Sequence, residues 1–209
     1  MFDDSFNTDV FSIFGQYSVD LSDVTELSLE GRYDKEKRSV NNNVPGVASA
    51  LYYGGGAPIN PAMAAVGDTI PSRDKSFDQF QPKISLTTTG ENTTVYASYG
   101  VGFRSGGFNS SGSAATTEFW LNSGNPFGLG VVGAQLGVSD TFKKEVSKSF
   151  ELGFKGRYLD GRLEVNGALF ETDVDDNQFF EFFSVPWGLL RVVRNNDQLD
   201  ISVSELAFN

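Results

Sequence analysis

The stretch VYASYGVGFRSGGFN, from Val95 to Asn109, decides the fold. Its first half alternates strictly: Val95, Ala97, Tyr99, Val101 and Phe103 fall on one side, and Tyr96, Ser98, Gly100, Gly102 and Arg104 on the other. That is the period of a β-strand with one apolar face. The second half dissolves into Ser105, Gly106, Gly107 and Asn109, a glycine exit. A long strand with an apolar face, a small-and-charged face and such an exit suits the wall of a membrane barrel with a wet interior.

Working outward, the same alternation predicts six further strands. Asp9 to Leu21 sets Phe11, Ile13, Tyr17 and Val19 against Ser12, Gln16 and Ser18; Glu26 to about Arg38 sets Leu27, Leu29 and Tyr33 against Glu26, Ser28, Glu30 and Arg32. Phe77 to Thr89 follows, with Pro82 at a position that normally marks an edge or a bulge. Ser149 to Tyr158 runs into Asp160-Gly161, a pair that favours a tight two-residue hairpin. Leu163 to about Phe183 and Leu190 to Phe208 complete the set. In the last strand Ile201 and Val203 have one parity and Leu206 and Phe208 the other, which predicts a bulge near Ser204.

Short turns near 22–24, 90–92 and 160–161 alternate with long irregular segments at about 41–76 and 110–142. Short turns at one end and long loops at the other are the outer-membrane arrangement. The fold class predicted is all-β: an antiparallel up-and-down meander of about seven long strands in a transmembrane barrel wall. The whole chain, 1–209, reads as one such unit.

Composition narrows the chemistry. The 209 residues hold 27 acidic and 16 basic side chains, a formal charge of -11, which opposes binding to nucleic acid. With no Cys and no His there is no disulfide, thiolate, imidazole base or imidazole ligand. No catalytic residues, metal site or cofactor are predicted, and the chain does not read as an enzyme. MFDDSFNTDV lacks the basic patch and apolar core of a signal peptide, so the chain reads as part of a longer one.

Three stretches resemble one family in the same order. Val95 to Asn109 resembles a barrel segment of TonB-dependent outer-membrane receptors. SKSFELGFKGRYLDGRLEVNGALFETDVDDNQ (Ser147 to Gln178) is similar to a barrel hairpin of the same family, and FSIFGQYSVDLSDVTELSLEGRYDKEKR (Phe11 to Arg38) to another. The resemblance implies a barrel of about 22 strands around a plug, so that the seven strands are an incomplete slice of a large transmembrane barrel, and neither the plug nor the segment that engages TonB is read in this chain. It also implies a Gram-negative outer-membrane location, contact with outer-membrane lipid, energy from the TonB complex, and a small-molecule cargo. The commonest cargo in the family is a ferric siderophore; vitamins and oligosaccharides are the others.

The loops hold the candidate ligand contacts. Tyr52, Tyr53, Phe119, Trp120, Phe127 and Trp187 are aromatic rings on glycine-rich connections, able to stack on sugars or aromatic siderophore groups, or to pack loop against loop. Arg104, on the polar face, is read either as a contact to an anionic ligand or plug, or as a charge paired with a nearby carboxylate. Glu151, Lys155, Arg157 and Glu164 read as a cross-strand network. Asp173, Asp175, Asp176 and Asn177 lack the glycine and distant glutamate of a calcium loop and read as a solvated strand end. The competing architecture is a soluble β-sandwich acting as a carbohydrate-binding module or lyase.

Overall fold

The computed structural model describes residues 3–44, 52–53, 57–58, 60–63, 69–122, 136–185 and 188–209. Seven strands form one antiparallel sheet in chain order: β1 (Asp4–Ser22), β2 (Thr25–Asn42), β3 (Arg73–Thr89), β4 (Thr93–Arg104), β5 (Glu145–Tyr158), β6 (Leu163–Val185) and β7 (Gly188–Phe208). The strands hold 12 to 23 residues. An ordinary strand has about 5 to 6, and about 9 to 11 suffice to cross a membrane. Among the described residues the other sheets are two-residue ladders, and the seven strands form one single-layer meander rather than the two facing sheets of a sandwich.

The sheet has two chemically distinct faces. Val19, Leu27, Leu86, Ala97, Leu152 and Leu169 are register partners from β1 through β6, so they form one unbroken apolar row. Tyr17, Leu29, Ile84, Tyr99 and Phe150 form the row beside it. Val19, Leu27 and Ala97 are half-buried, but the other side chains of the two rows stay exposed although they are apolar, which is the state of a surface solvated by something other than water or protein.

The opposite face is polar and internally bonded. Arg32 grips Asp34 at 2.8 and 2.9 Å, and Gln81 donates to the same carboxylate at 2.6 Å. Tyr96 donates to Glu151 at 2.7 Å beneath the Lys155 ammonium, and Arg157 approaches Glu164 at 3.7 Å. Of the cross-strand network read from Glu151, Lys155, Arg157 and Glu164, the Arg157–Glu164 pair is present, while Glu151 and Lys155 meet through Tyr96 instead.

Three details differ from the sequence expectation. Pro82 lies inside β3, opposite Gly31 of β2, but the ladder to β4 stops one residue short of it, at Lys83–Gly100. Proline has no N–H to extend that ladder. The turn after β5 takes four residues rather than two, with Leu159, Asp160 and Gly161 all at positive φ (56°, 57° and 82°).

The third difference is in β7. Ser204 pairs regularly with Leu169 and there is no bulge there. The irregularity sits instead at Asp176, φ 52°, where Asp176 and Asp197 drop out of an otherwise continuous register. Aspartate tolerates this left-handed conformation better than most residues. Across it the exposed positions of β6 change from odd (Leu169, Glu171, Asp173) to even (Phe180, Phe182, Ser184). Ile201 and Val203 therefore share the face of Thr172 and Phe170.

Strands also run further than their apolar alternation. β1 begins at Asp4 rather than Asp9, and β2 reaches Asn42 rather than Arg38. The buried core lies at this extended end: Val40, Met63, Phe77, Trp120, Val185, Leu190 and Val192 are buried there by the segments between strands.

Candidate functional site

The irregular connections and most of the buried side chains lie at the end of the sheet opposite the short turns. Beyond Arg104 the chain crosses the Phe77 ring as bare backbone. A Cβ at Gly106 would collide with that ring and with the Phe142 carbonyl, so only glycine allows the crossing. Gly107–Phe108 then pairs with Thr141–Phe142, closing the neck of the connection.

Side-chain amides hold the neck to the sheet. Asn109 donates to the carbonyls of Val193 and Ser139 at 2.9 and 2.8 Å, and accepts from the Val193 N–H at 2.7 Å. Gln178 donates to the carbonyls of Ser105 and Lys143, both at 2.9 Å. Asn195 accepts from the Lys143 N–H at 2.7 Å and donates to the Asp176 carbonyl, also at 2.7 Å. Buried main-chain groups of an irregular segment need such partners, because no ladder supplies them.

Above the neck a short helix, α1 (Ser113–Thr117), continues into the π-helical turn Glu118–Asn122. Gly112 precedes it at φ 85°, with its backbone against the Asn60 side chain, where any Cβ would clash. Asn60 also donates to the Ser111 carbonyl at 3.0 Å, which ties this segment to the connection between β2 and β3. Asp140 accepts from the N–H groups of Gly112 (3.2 Å) and Ala114 (2.8 Å) and faces Arg73 at 3.4 Å; Asp4 accepts from the Ser111 N–H at 3.0 Å. Two carboxylates, one from β1 and one from the neck, thus fasten one turn.

Five of the candidate ligand contacts, Tyr52, Tyr53, Arg104, Phe119 and Trp120, fall among the described residues. Phe119 and Trp120 meet edge to face, centroids 5.3 Å apart. Phe119 is partly exposed, whereas Trp120 is 0% exposed and occupies the cap interior with Met63. Tyr52 and Tyr53 form a two-residue ladder with Ala57 and Pro58. Phe127 and Trp187 lie outside the described residues. Arg104 is exposed at the end of β4 and has no carboxylate partner among the described residues. Its register partner Glu145 instead accepts from the Gln178 N–H at 2.6 Å and from Asn177 at 3.2 Å.

Of the acidic run, Asp175 pairs with Lys148 at 2.7 Å and Asp176 with Lys143 at 2.9 Å. The Asp176 carboxylate holds the Lys143 ammonium above its usual range. Alternation marks none of Asn60, Asn109, Asp140 or Gln178. Asn109 and Asp140 could have been suspected only as turn-forming residues at the edges of a glycine- and serine-rich stretch.

Long antiparallel strands in chain order, apolar on one face and hydrogen-bonded polar on the other, with short turns at one end and a folded cap at the other, are the wall of a large transmembrane β-barrel. The chain belongs to the TonB-dependent receptor-like β-barrel family, whose model matches residues 1–202. Its members are receptors and transporters of the outer membrane rather than enzymes. Among solved structures, the chain is similar to the ferric yersiniabactin uptake receptor FyuA from Yersinia pestis (TM-score 0.60, 18% identity, covering 98% of this chain and 24% of that one). It is also similar to the ferric-catecholate import receptor Fiu from K12 E. coli (0.59, 21%, 98% and 26%) and to the copper transporter OprC (0.59, 17%, 96% and 26%). At these identities the likeness is one of fold. The chain spans about a quarter of the length of each of these structures.

Proposed function

We propose that the chain is part of the barrel of an outer-membrane active transporter that binds a scarce ligand, a ferric siderophore, and imports it with energy transmitted by TonB. The observation that carries this reading is the family match over residues 1–202 of a sheet whose two faces differ as a barrel wall's must. The iron cargo is favoured because FyuA and Fiu are named for ferric complexes; OprC supports copper as the second cargo.

In this reading the apolar rows contact outer-membrane lipid, the polar face lines the interior, and the cap meets the ligand from outside. Phe119 and Arg104 are the described side chains proposed to touch it, Tyr52, Tyr53, Phe127 and Trp187 are proposed with them from the sequence, and Trp120 supports Phe119 from beneath. The ligand is bound and released unchanged, so no acid, base or nucleophile is required.

The test is uptake of radiolabelled iron by iron-starved cells carrying or lacking the complete gene, with catecholate, hydroxamate and mixed-ligand ferric complexes. Uptake of at least one complex should vanish with the gene and with an uncoupler of the proton gradient. Unchanged uptake of all three types would reject the iron reading.

A further inference from the structure

Among the described residues, Arg73 is the one cation with buried donors left without a partner. Only its Nη1 faces a carboxylate, Asp140, at 3.4 Å. Its Nε and Nη2 are closed off from solvent and have no acceptor among the described residues. The guanidinium carbon lies 5.6 Å from the centroid of the Phe108 ring, which orients the group but accepts no conventional hydrogen bond.

The Nε–Nη2 edge is the one that grips two oxygens of a carboxylate or similar anion side-on. Leaving charged donors buried and unpaired is costly, so an oxyanion placed there gains what the empty edge forfeits.

The neighbours have the same sign. Lys75, two residues along the same face, is exposed, and its Nζ stands 5.4 Å from the Phe77 ring centroid; no carboxylate among the described residues pairs with it. Arg38 is the direct cross-strand partner of Lys75. Like charges directly opposite in a ladder repel, and Arg38 is relieved by Glu36 at 2.9 Å while Lys75 is not. Three adjacent basic residues on one face stand out in a chain of net charge -11.

We infer that Arg73, assisted by Lys75, receives an anionic group of the imported ligand, two oxygens of a carboxylate or catecholate lying on the Nε–Nη2 edge. This rests on the transport reading and narrows its cargo to ligands that present paired anionic oxygens. The edge is closed off from solvent in this structure, so the ligand reaches it only when what covers it moves.

The test uses the full-length receptor in iron-starved cells, with a ferric tris-catecholate complex of net negative charge and a ferric hydroxamate complex of net positive charge as probes. Arg73→Lys keeps the charge but removes the two-pronged edge, and Lys75→Gln removes an exposed charge outside the packed cap. The first should raise the half-saturation concentration for the catecholate complex roughly tenfold and the second roughly threefold, with maximal uptake retained. The heat-dependent gel shift of the barrel checks that both variants assemble.

Wild-type uptake of the anionic complex, unaltered by either variant or altered equally for both probes, would overturn the assignment and leave the transport reading standing. A wild-type receptor that takes up no ferric complex would overturn the transport reading and the assignment with it.

Discussion

Asn109 and Val193, 84 residues apart in the chain, pair as two strand residues would: the side-chain amide of one replaces a main-chain peptide and exchanges two hydrogen bonds with the other, at 2.7 and 2.9 Å. A third bond, to the Ser139 carbonyl, joins the two arms of the neck through the same side chain. One residue thus fixes where the connection between β4 and β5 meets β7.

Asn109→Ala should loosen the neck without unfolding the wall. It strands the N–H and carbonyl of Val193, at a local cost of about 1 to 3 kcal/mol. Hydrogen exchange on the full-length receptor should show faster exchange in residues 105–122 and 136–144 and unchanged protection in β2 and β3. Equal loss of protection everywhere would contradict the local role.

Gly106 should accept no larger residue while Phe77 stands beneath it. Gly106→Ala places a methyl group into the Phe77 ring and the Phe142 carbonyl, an overpacking of about 1 to 3 kcal/mol. Phe77→Leu in the same chain should recover part of the loss, and a double-mutant cycle on protease resistance of the cap measures the coupling. Strictly additive effects would mean that the two do not meet.

The two faces of the wall should respond oppositely to charge. Leu152 lies in the apolar row between Ala97 and Leu169, so Leu152→Arg should cost about 2 to 4 kcal/mol in a bilayer and reduce the assembled receptor. Ser98→Lys, on the polar face opposite Glu151, should assemble normally. The fraction of heat-modifiable barrel in outer membranes reads both. Similar losses would place the bilayer against the wrong face.

The Lys143–Asp176 contact should be indifferent to pH over the physiological range. Asp176 raises the Lys143 ammonium above its ordinary 10.5, so any stabilisation is complete below that value and is lost as pH climbs through the raised one. Both partners are at least partly solvated, so salt should weaken the contact too. The difference in neck protection between wild type and Lys143→Met should be constant from neutral pH to about pH 10 and shrink above it.

The wall was legible because its apolar residues repeat every second position. Val95 to Phe103 and Phe150 to Phe154 could hardly lie otherwise. Strand ends were less legible: past Arg38 alternation of hydrophobicity stops while the hydrogen-bond ladder, blind to side chains, continues to Asn42. The parity of Ile201 and Leu206 suggests a bulge between them that the ladder does not contain; the break is at Asp176, whose positive φ alternation does not encode.

The cap was scarcely legible at all. Asn60, Asn109 and Asp140 act through contacts 26 to 84 residues away in sequence, with no period to betray them. Trp120 reads equally as a ligand contact or as loop packing, and nothing in its neighbourhood of the sequence tells which; the structure buries it in the cap interior.

The position of the buried core has a thermodynamic consequence. The apolar rows of the wall need lipid or detergent to be content, whereas Trp120, Met63 and Val40 are sheltered by protein alone. One chain is therefore held by two solvents. Urea, which weakens burial from water, should melt the cap as a small globule, while the strands beneath, answering to the amphiphile around them, remain standing.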